Sequence, residues 1–344
     1  MEANRAFNDS LKRFIEKAGP LFALIILGVV MTILSPIFDI NGQQNFLTFA
    51  NITNIMRQAS FSAMIALAMF LAILTAGIDL SVGPMTALSA IVMALFIRAG
   101  GNPFIGILIC VLTGAALGLI NGLLLTKLRL PHPFISTLGT QNIFRAVCLM
   151  LTASAPISRF PSAITTLGAA SIPGTRIPVS VIAVIVAFVL FGLFLNHTVL
   201  GRNIYAIGGN AQTARLSGIN VKKTLNIVYM LGGFMCGVAG LIVVGRADSI
   251  SPLFGLGAET DAIAAVIIGG ASFFGGKGTV FGTFCGVLII AVLRNGLSIL
   301  GVMPDVQQLI LGSVIILAVF LDVVKTHREG QLAKKAKAVL LGQE

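Results

Sequence analysis

The sequence predicts an all-α polytopic membrane protein with about ten transmembrane helices, and three observations carry that prediction. The mean hydropathy is +0.99 and only 10% of residues are charged, where a soluble domain carries roughly 25%. Apolar runs long enough to cross a bilayer recur, for example PLFALIILGVVMTILSPIF (20–38) and IPVSVIAVIVAFVLFGLFL (177–195). Finally, the 38 glycines suit helices that approach one another closely, whereas a barrel would show alternating segments of about ten residues.

Taken in order, residues 1–19 form a basic N-terminal segment bearing Arg5, Lys12, Arg13 and Lys17. The span behind it is too long, and lacks the small-residue cleavage site, to be a signal peptide, so it reads as an uncleaved first helix. Expected spans are 20–38, 58–76, 81–97, 103–125, 134–153, 177–195, 225–245, 261–271, 279–299 and 306–324, within a transmembrane domain of 20–324. The segment 261–271 is too short to cross straight, so it continues into its glycine-rich neighbour or re-enters. Residues 325–344 form a basic tail. With both termini cytoplasmic, 16 Lys or Arg fall inside, including Lys127, Arg129 and Lys277. Five fall outside: Arg57, Arg98, Arg159, Arg176 and Arg246. That bias fixes the orientation and accounts for the net charge of +11 without any nucleic-acid partner. Arg145 and Arg294 remain inside spans.

The four cysteines (Cys110, Cys148, Cys236, Cys285) lie in apolar segments without CxxC spacing and read as inert buried thiols. The three histidines fall in polar connections, so no metal site and no histidine proton relay is expected in the spans. Gly114, Gly118 and Gly122 form a small-xxx-small ridge, which points to tight packing within the bundle rather than to a dimer seam. Gly282 and Gly286 repeat that spacing. The run Gly269, Gly270, Gly275, Gly276 and Gly278 is a candidate helix break, re-entrant turn or hinge. Segments 70–90 and 262–283 share an apolar–small–apolar plan that hints at a repeat.

Between spans lies GRNIYAIGGNAQTARLSGIN (201–220), in the inner connection 196–224. Asn210 is placed to cap a short helix AQTARLS and Gly218 to end it in a left-handed conformation. That helix is expected to expose Ala211, Gln212 and Ala214, with Arg215 toward the end that favours a cation. It is too short to stand alone, so it packs on its own bundle as a surface turn or docks into a partner. Elsewhere, Asp79 is an acid near the hydrocarbon. Either Asp79 or Ser81 caps the helix that follows, or Asp79 lines a broken helix at the solute path. Asn121, Thr137, Gln141 and Asn142 suit a path for a hydroxylated solute, or equally bond neighbouring helices. Arg145 faces the interior or water, with an unidentified partner.

These residues carry a resemblance. GRNIYAIGGNAQTARLSGINVKK, ILTAGIDLSVGPMTALSA (73–90), GLINGLLLTKLRLPHPFISTLGT (118–140) and ETDAIAAVIIGGASFFGGKGTVFGT (259–283) resemble bacterial sugar permeases of the ribose, xylose and galactoside type, which belong to the binding-protein-dependent ABC importers. The likeness runs from about residue 20 to 325, in the family's order. It implies a multi-pass permease of the bacterial inner membrane, paired with a second copy or a paralogue and carrying no cofactor of its own. ATP and Mg would act on a cytoplasmic ATPase partner, and a periplasmic sugar-binding protein would deliver the solute. Residues Gly201, Arg202, Ala206, Gly208, Asn210, Ala214, Arg215, Gly218 and Asn220 would form the ATPase-coupling segment, moved as a rigid body between two packings.

The chain's own nearest approach to a phosphate loop, ASFFGGKG (271–278), has Ala271 where the first Gly belongs and Gly278 where Ser or Thr belongs. It is not a nucleotide site. The spans carry few charges, which agrees with a neutral monosaccharide. A polyol, nucleoside or signalling sugar is the alternative within the family. An ion-coupled carrier is the alternative outside it, and an intramembrane hydrolase fails because no span offers His to a Ser nucleophile.

Overall fold

A computed structural model describes residues 2–38, 46–128, 130, 132–172, 174–175 and 177–340, with backbone alone for 2–17 and most of 325–340. Arg129, Arg176, part of the predicted 39–57 connection and the last four residues of the tail lie outside the described residues.

The described chain is helical almost throughout. The elements are α1 (Glu2–Phe38), α2 (Phe49–Leu74), α3 (Val82–Arg98), α4 (Pro103–Lys127), α5 (Pro133–Thr152), β1 (Ile157–Ser158), α6 (Ser162–Ala169) and α7 (Val179–His197). Then follow α8 (Val199–Gly209), α9 (Ala211–Leu216), α10 (Val221–Ala247), β2 (Ser249–Ile250), α11 (Ala258–Ile268), α12 (Val280–Ile299) and α13 (Pro304–Leu340). Among the described residues, eight helices are long and apolar enough to cross a membrane. Two of the expected spans fall short of that length: α3 has 17 residues and α11 has 11. The basic N-terminal segment joins the first span as one helix, past Pro20 and Pro36, and α13 carries the last span into the tail.

Helices α2 and α10 form the centre. Their most apolar windows are 78% and 72% buried, against 17% for α1 and 6% for α13, which lie at the rim. The predicted glycine ridge of α4 is what brings α10 so close. A Cβ on Gly114 would overlap Gly233, one on Gly118 would overlap the Tyr229 carbonyl, and one on Gly122 would press on Asn226. Packing within the bundle is therefore the role of this ridge. The second ridge works alike, with Gly282 against Gly269 and Gly286 against the Ala265 carbonyl, so α11 and α12 touch backbone to backbone.

At 1.5 Å per residue, α11 is roughly 16 Å long, about half the hydrocarbon thickness. Irregular backbone flanks it. The turn 251–257 packs Gly255 against Gly83 at the start of α3, and the glycine segment 269–279 reaches the end of α2. There the Gly276 amide donates to the Leu74 carbonyl (3.0 Å). The interruption between α2 and α3 thus meets the one between α11 and α12. Irregular backbone at this depth is tolerated because protein surrounds it.

Candidate coupling and translocation site

Helices α8 and α9 occupy the connection 196–224 as two short capped helices rather than a loop. The Thr198 hydroxyl caps α8 by accepting from the Gly201 amide (3.0 Å), Asn210 Oδ1 caps α9 through the Thr213 amide (2.9 Å), and Asn220 Oδ1 caps α10 through the Lys223 amide (3.0 Å). Gly218 takes φ +84, and the Ile219 amide donates to the Ala214 carbonyl (3.1 Å), which closes α9 as the sequence predicts.

The exposed face differs from the expected one at Ala214. Ala214 is buried at 4% exposure, because the helix rolls that residue onto the bundle. Ala211, Gln212 and Arg215 face outward, and so does Leu216, which the sequence reading passed over and which is 83% exposed. Arg202, Ala206, Asn210, Gly218 and Asn220 are also exposed, whereas Gly201 and Gly208 are buried. Gly208 has main-chain atoms on two sides: a Cβ there would overlap the Leu74 carbonyl and the Gly276 amide. Tyr205 adds a hydrogen bond from its phenol to the Gly278 carbonyl (3.0 Å). Burial raises the pKa of that phenol, so it stays a neutral donor. Helix α8 is therefore fixed directly to both helix interruptions.

Of the predicted path residues, the structure brings four together. Asp79 Oδ1 accepts from the Ser81 amide (2.9 Å) and the Ser81 hydroxyl (2.6 Å), and Asn121 Nδ2 donates to Ser81 Oγ (2.7 Å). The Thr137 hydroxyl donates to the Ile78 carbonyl (3.0 Å) in the same connection. All four side chains are buried. Ser81 stands at the N-cap of α3 but makes no cap bond with its side chain; its hydroxyl donates to Asp79 and accepts from Asn121 instead. The Tyr229 hydroxyl and Asn121 Oδ1 are buried nearby without a partner.

Gln141 and Arg145, further along α5, turn to the other break. Gln141 Nε2 donates to Glu259 Oε1 (3.2 Å), and Arg145 Nη1 donates to the carbonyls of Pro252 (2.5 Å) and Phe254 (2.8 Å). Its partners are thus carbonyls, not Asp79, and they hold the 251–257 turn in the bundle. Asn142 does not join either group. It is exposed and bonds the Leu138 carbonyl of its own helix (3.0 Å).

The candidate hinge glycines do interrupt the helix. Gly269 ends α11, and Gly270, Gly275, Gly276 and Gly278 all have positive φ. The segment is tied to α13 by Asp322, whose carboxylate accepts from the Phe273 amide (3.0 Å). Sequence reasoning missed two further pairings. Asn51 and Asn295 exchange two amide hydrogen bonds (2.9 Å each) between α2 and α12. Arg294 donates from Nη2 to both oxygens of Asp261 (2.7 and 2.8 Å), so the second charged residue inside a span has an acid on α11. Only charge pairing offered a signal for it: Arg294 sits in a span and needs a partner.

A multi-helical bundle in which two helix interruptions meet beneath the short helices α8 and α9 defines a polytopic membrane protein. Residues 51–319 match the family model described as "Branched-chain amino acid transport system / permease component". The chain belongs to this permease family. It is 44% identical over 319 residues to a D-allose transport system permease protein of Escherichia coli, covering 92% of this chain and 94% of that one. It is 41% identical over 309 residues to a ribose import permease protein of Bacillus subtilis, covering 89% and 92%. To a galactose/methyl galactoside import permease protein of Haemophilus influenzae it is 34% identical over 343 residues, covering 94% and 98%. No solved structure matches the chain. With eight apolar helices among its described residues it is a multi-pass inner-membrane protein, a transport permease subunit.

Proposed function

We propose that this chain is the membrane permease of an ATP-driven importer and passes a monosaccharide handed over by a periplasmic binding protein. The observation that carries the reading is the run of similar sugar permeases over nine-tenths of the chain, 44% identical for the D-allose protein. The charge bias supports cytoplasmic termini, which puts α8 and α9 on the cytoplasmic face and the β1–β2 end outside.

In this reading a cytoplasmic ATPase, holding ATP and Mg, grips the exposed face of α9. Its closure moves α8, and α8 moves the 269–279 segment and the end of α2, because Gly208 and Tyr205 leave no slack between them. The hinge glycines then let α11 tilt against α12. Sealing of the path would fall to the connection 75–81. A second copy or a paralogue completes the pore in the bilayer.

The test uses Leu216→Asp and Arg215→Glu in the assembled importer. Neither side chain is packed against the bundle, so membrane insertion should be normal. ATPase co-purification and ATP-dependent uptake should fall together. Normal uptake in both variants would remove α9 from the coupling role. Uptake in vesicles without ATP would instead favour an ion-coupled carrier.

A further inference from the structure

A cavity of about 380 Å³ opens beside the Asp261–Arg294 pair, within the ~300–1,000 Å³ typical of small-molecule sites. It lies toward the end of the bundle away from α8 and α9. Its walls come from α2, α11, α12, the 251–257 turn and the last turn of α10. We propose that this chamber is a binding station for one uncharged, monosaccharide-sized polyhydroxyl molecule in transit. The inference rests on the sugar-import reading and deepens it by placing the solute.

Three features of the lining favour that occupant. The first is unused hydrogen-bonding capacity. Gln58 and Ser62 line the chamber and make no hydrogen bond with the described residues. Arg294 uses only Nη2 on Asp261, and its buried Nε has no partner. Half-buried amide and hydroxyl groups with no partner among the described residues are positioned to bond a ligand.

The second feature is chemical match. A sugar hydroxyl both donates and accepts. The Asp261 carboxylate offers acceptors and the Arg294 guanidinium donors, 2.7 Å apart, so adjacent hydroxyls find both kinds of partner at once. The pair is internally neutral, and Arg246, which also lines the chamber, adds further guanidinium donors for hydroxyl oxygens; that the solute is uncharged rests on the sugar-import reading. The third is the apolar wall. Phe61 and Phe254 meet edge to face with ring centroids 5.7 Å apart, a surface suited to the C–H face of a pyranose or furanose ring. With each net hydrogen bond worth only about 1 kcal/mol, such a site holds its ligand weakly, as a passage requires.

The test uses the full importer, permease with ATPase and binding protein, in proteoliposomes. Radiolabelled D-allose, D-ribose, D-galactose and, as a counter-probe, L-leucine are offered to the parent, with uptake normalised to assembled complex. The sugar that the parent imports is then used for Gln58→Leu, Ser62→Val, the double variant and the swap Asp261→Arg with Arg294→Asp. Since the Gln58 and Ser62 side chains bond nothing among the described residues, replacing them orphans no described group, and a merely structural lining predicts parental uptake. The expected result is uptake slowed at least about tenfold in the double variant, the equivalent of one to two lost hydrogen bonds. The ATPase response to loaded binding protein should persist. The swap keeps an ion pair but exchanges donor for acceptor, so it too should transport poorly. Parental rates in the double variant would overturn the chamber while leaving sugar import intact. A parent that imports L-leucine and none of the sugars would overturn the sugar reading itself, and the chamber's occupant with it.

Discussion

The cluster around Asp79 and the chamber beside Asp261 are made of the same kinds of side chain, acid, amide and hydroxyl, yet they are finished differently. Around Asp79 the groups are buried, and Asp79, Ser81 and Asn121 are linked to one another, although the Tyr229 hydroxyl and Asn121 Oδ1 stay without a partner. Ser81 gives both its amide and its hydroxyl to Asp79, and Asn121 gives its amide to Ser81. Beside Asp261, the Gln58 and Ser62 side chains bond nothing among the described residues and Arg294 keeps an unused Nε. The difference teaches that polarity within a span does not by itself mark a solute path. Left-over hydrogen-bonding capacity next to open volume is the better sign.

That contrast can be broken in four ways, from the largest effect downward. Gly118→Val attacks the frame behind the Asp79 cluster, since Asn121 rides on α4 and any Cβ at Gly118 overlaps the Tyr229 carbonyl. A cost of about 3 kcal/mol or more is expected from such overpacking, seen as loss of the monodisperse peak in detergent. A well-behaved Gly118→Val protein would mean that the α4–α10 seam is looser than its backbone contacts imply. Ser81→Ala comes next. It strips Asp79 of a hydrogen bond and leaves the Asn121 amide without its acceptor, for about 1–3 kcal/mol. Thermal unfolding of the purified protein should show the drop, and an unchanged midpoint would deny the cluster a structural role.

Asp261→Asn should cost less, about 0.2–1 kcal/mol, because the pair is partly exposed. A loss equal to that of Ser81→Ala would place the pair with the structural cluster. Gln58→Leu should shift stability by no more than about 0.5 kcal/mol in either direction. If the same melt shows a clear loss, Gln58 has a structural bond and the contrast between the two regions dissolves.

The fold and the candidate site were legible in the sequence to different depths. Helix packing was readable where it rests on local spacing: Gly114, Gly118 and Gly122 sit on one face by periodicity alone, and they do form the α4–α10 seam. Caps were readable for the same reason, because Asn210 and Gly218 act on residues three or four positions away, while the Asn220 cap of α10 was passed over. Which side of α9 faces out was readable only in part, since Ala211 and Gln212 are exposed as expected and Ala214 is not. Six residues carry too little periodicity, and packing against the bundle decided that Ala214 turns in and Leu216 out. The length of α11 was judged correctly, but the use of the 251–257 turn was not foreseen, because Arg145 reaches its carbonyls across more than a hundred residues. The chamber was the least visible feature. Gln58, Arg246, Asp261 and Arg294 belong to four helices, and only the bundle brings them to one cavity.

The seating of Gly208 has one more consequence. On one side, the α8–α9 hairpin meets carbonyl and amide atoms of Leu74 and Gly276, which no side-chain rearrangement can move aside. On the other it presents Leu216, Arg215 and Gln212 to the surroundings. Variation is therefore rationed by side. A library randomised across the hairpin should return glycine alone at 208 and a broad alphabet at 212, 215 and 216. Such a hairpin is able to change what it offers to a neighbouring protein while its seat in the membrane domain stays the same.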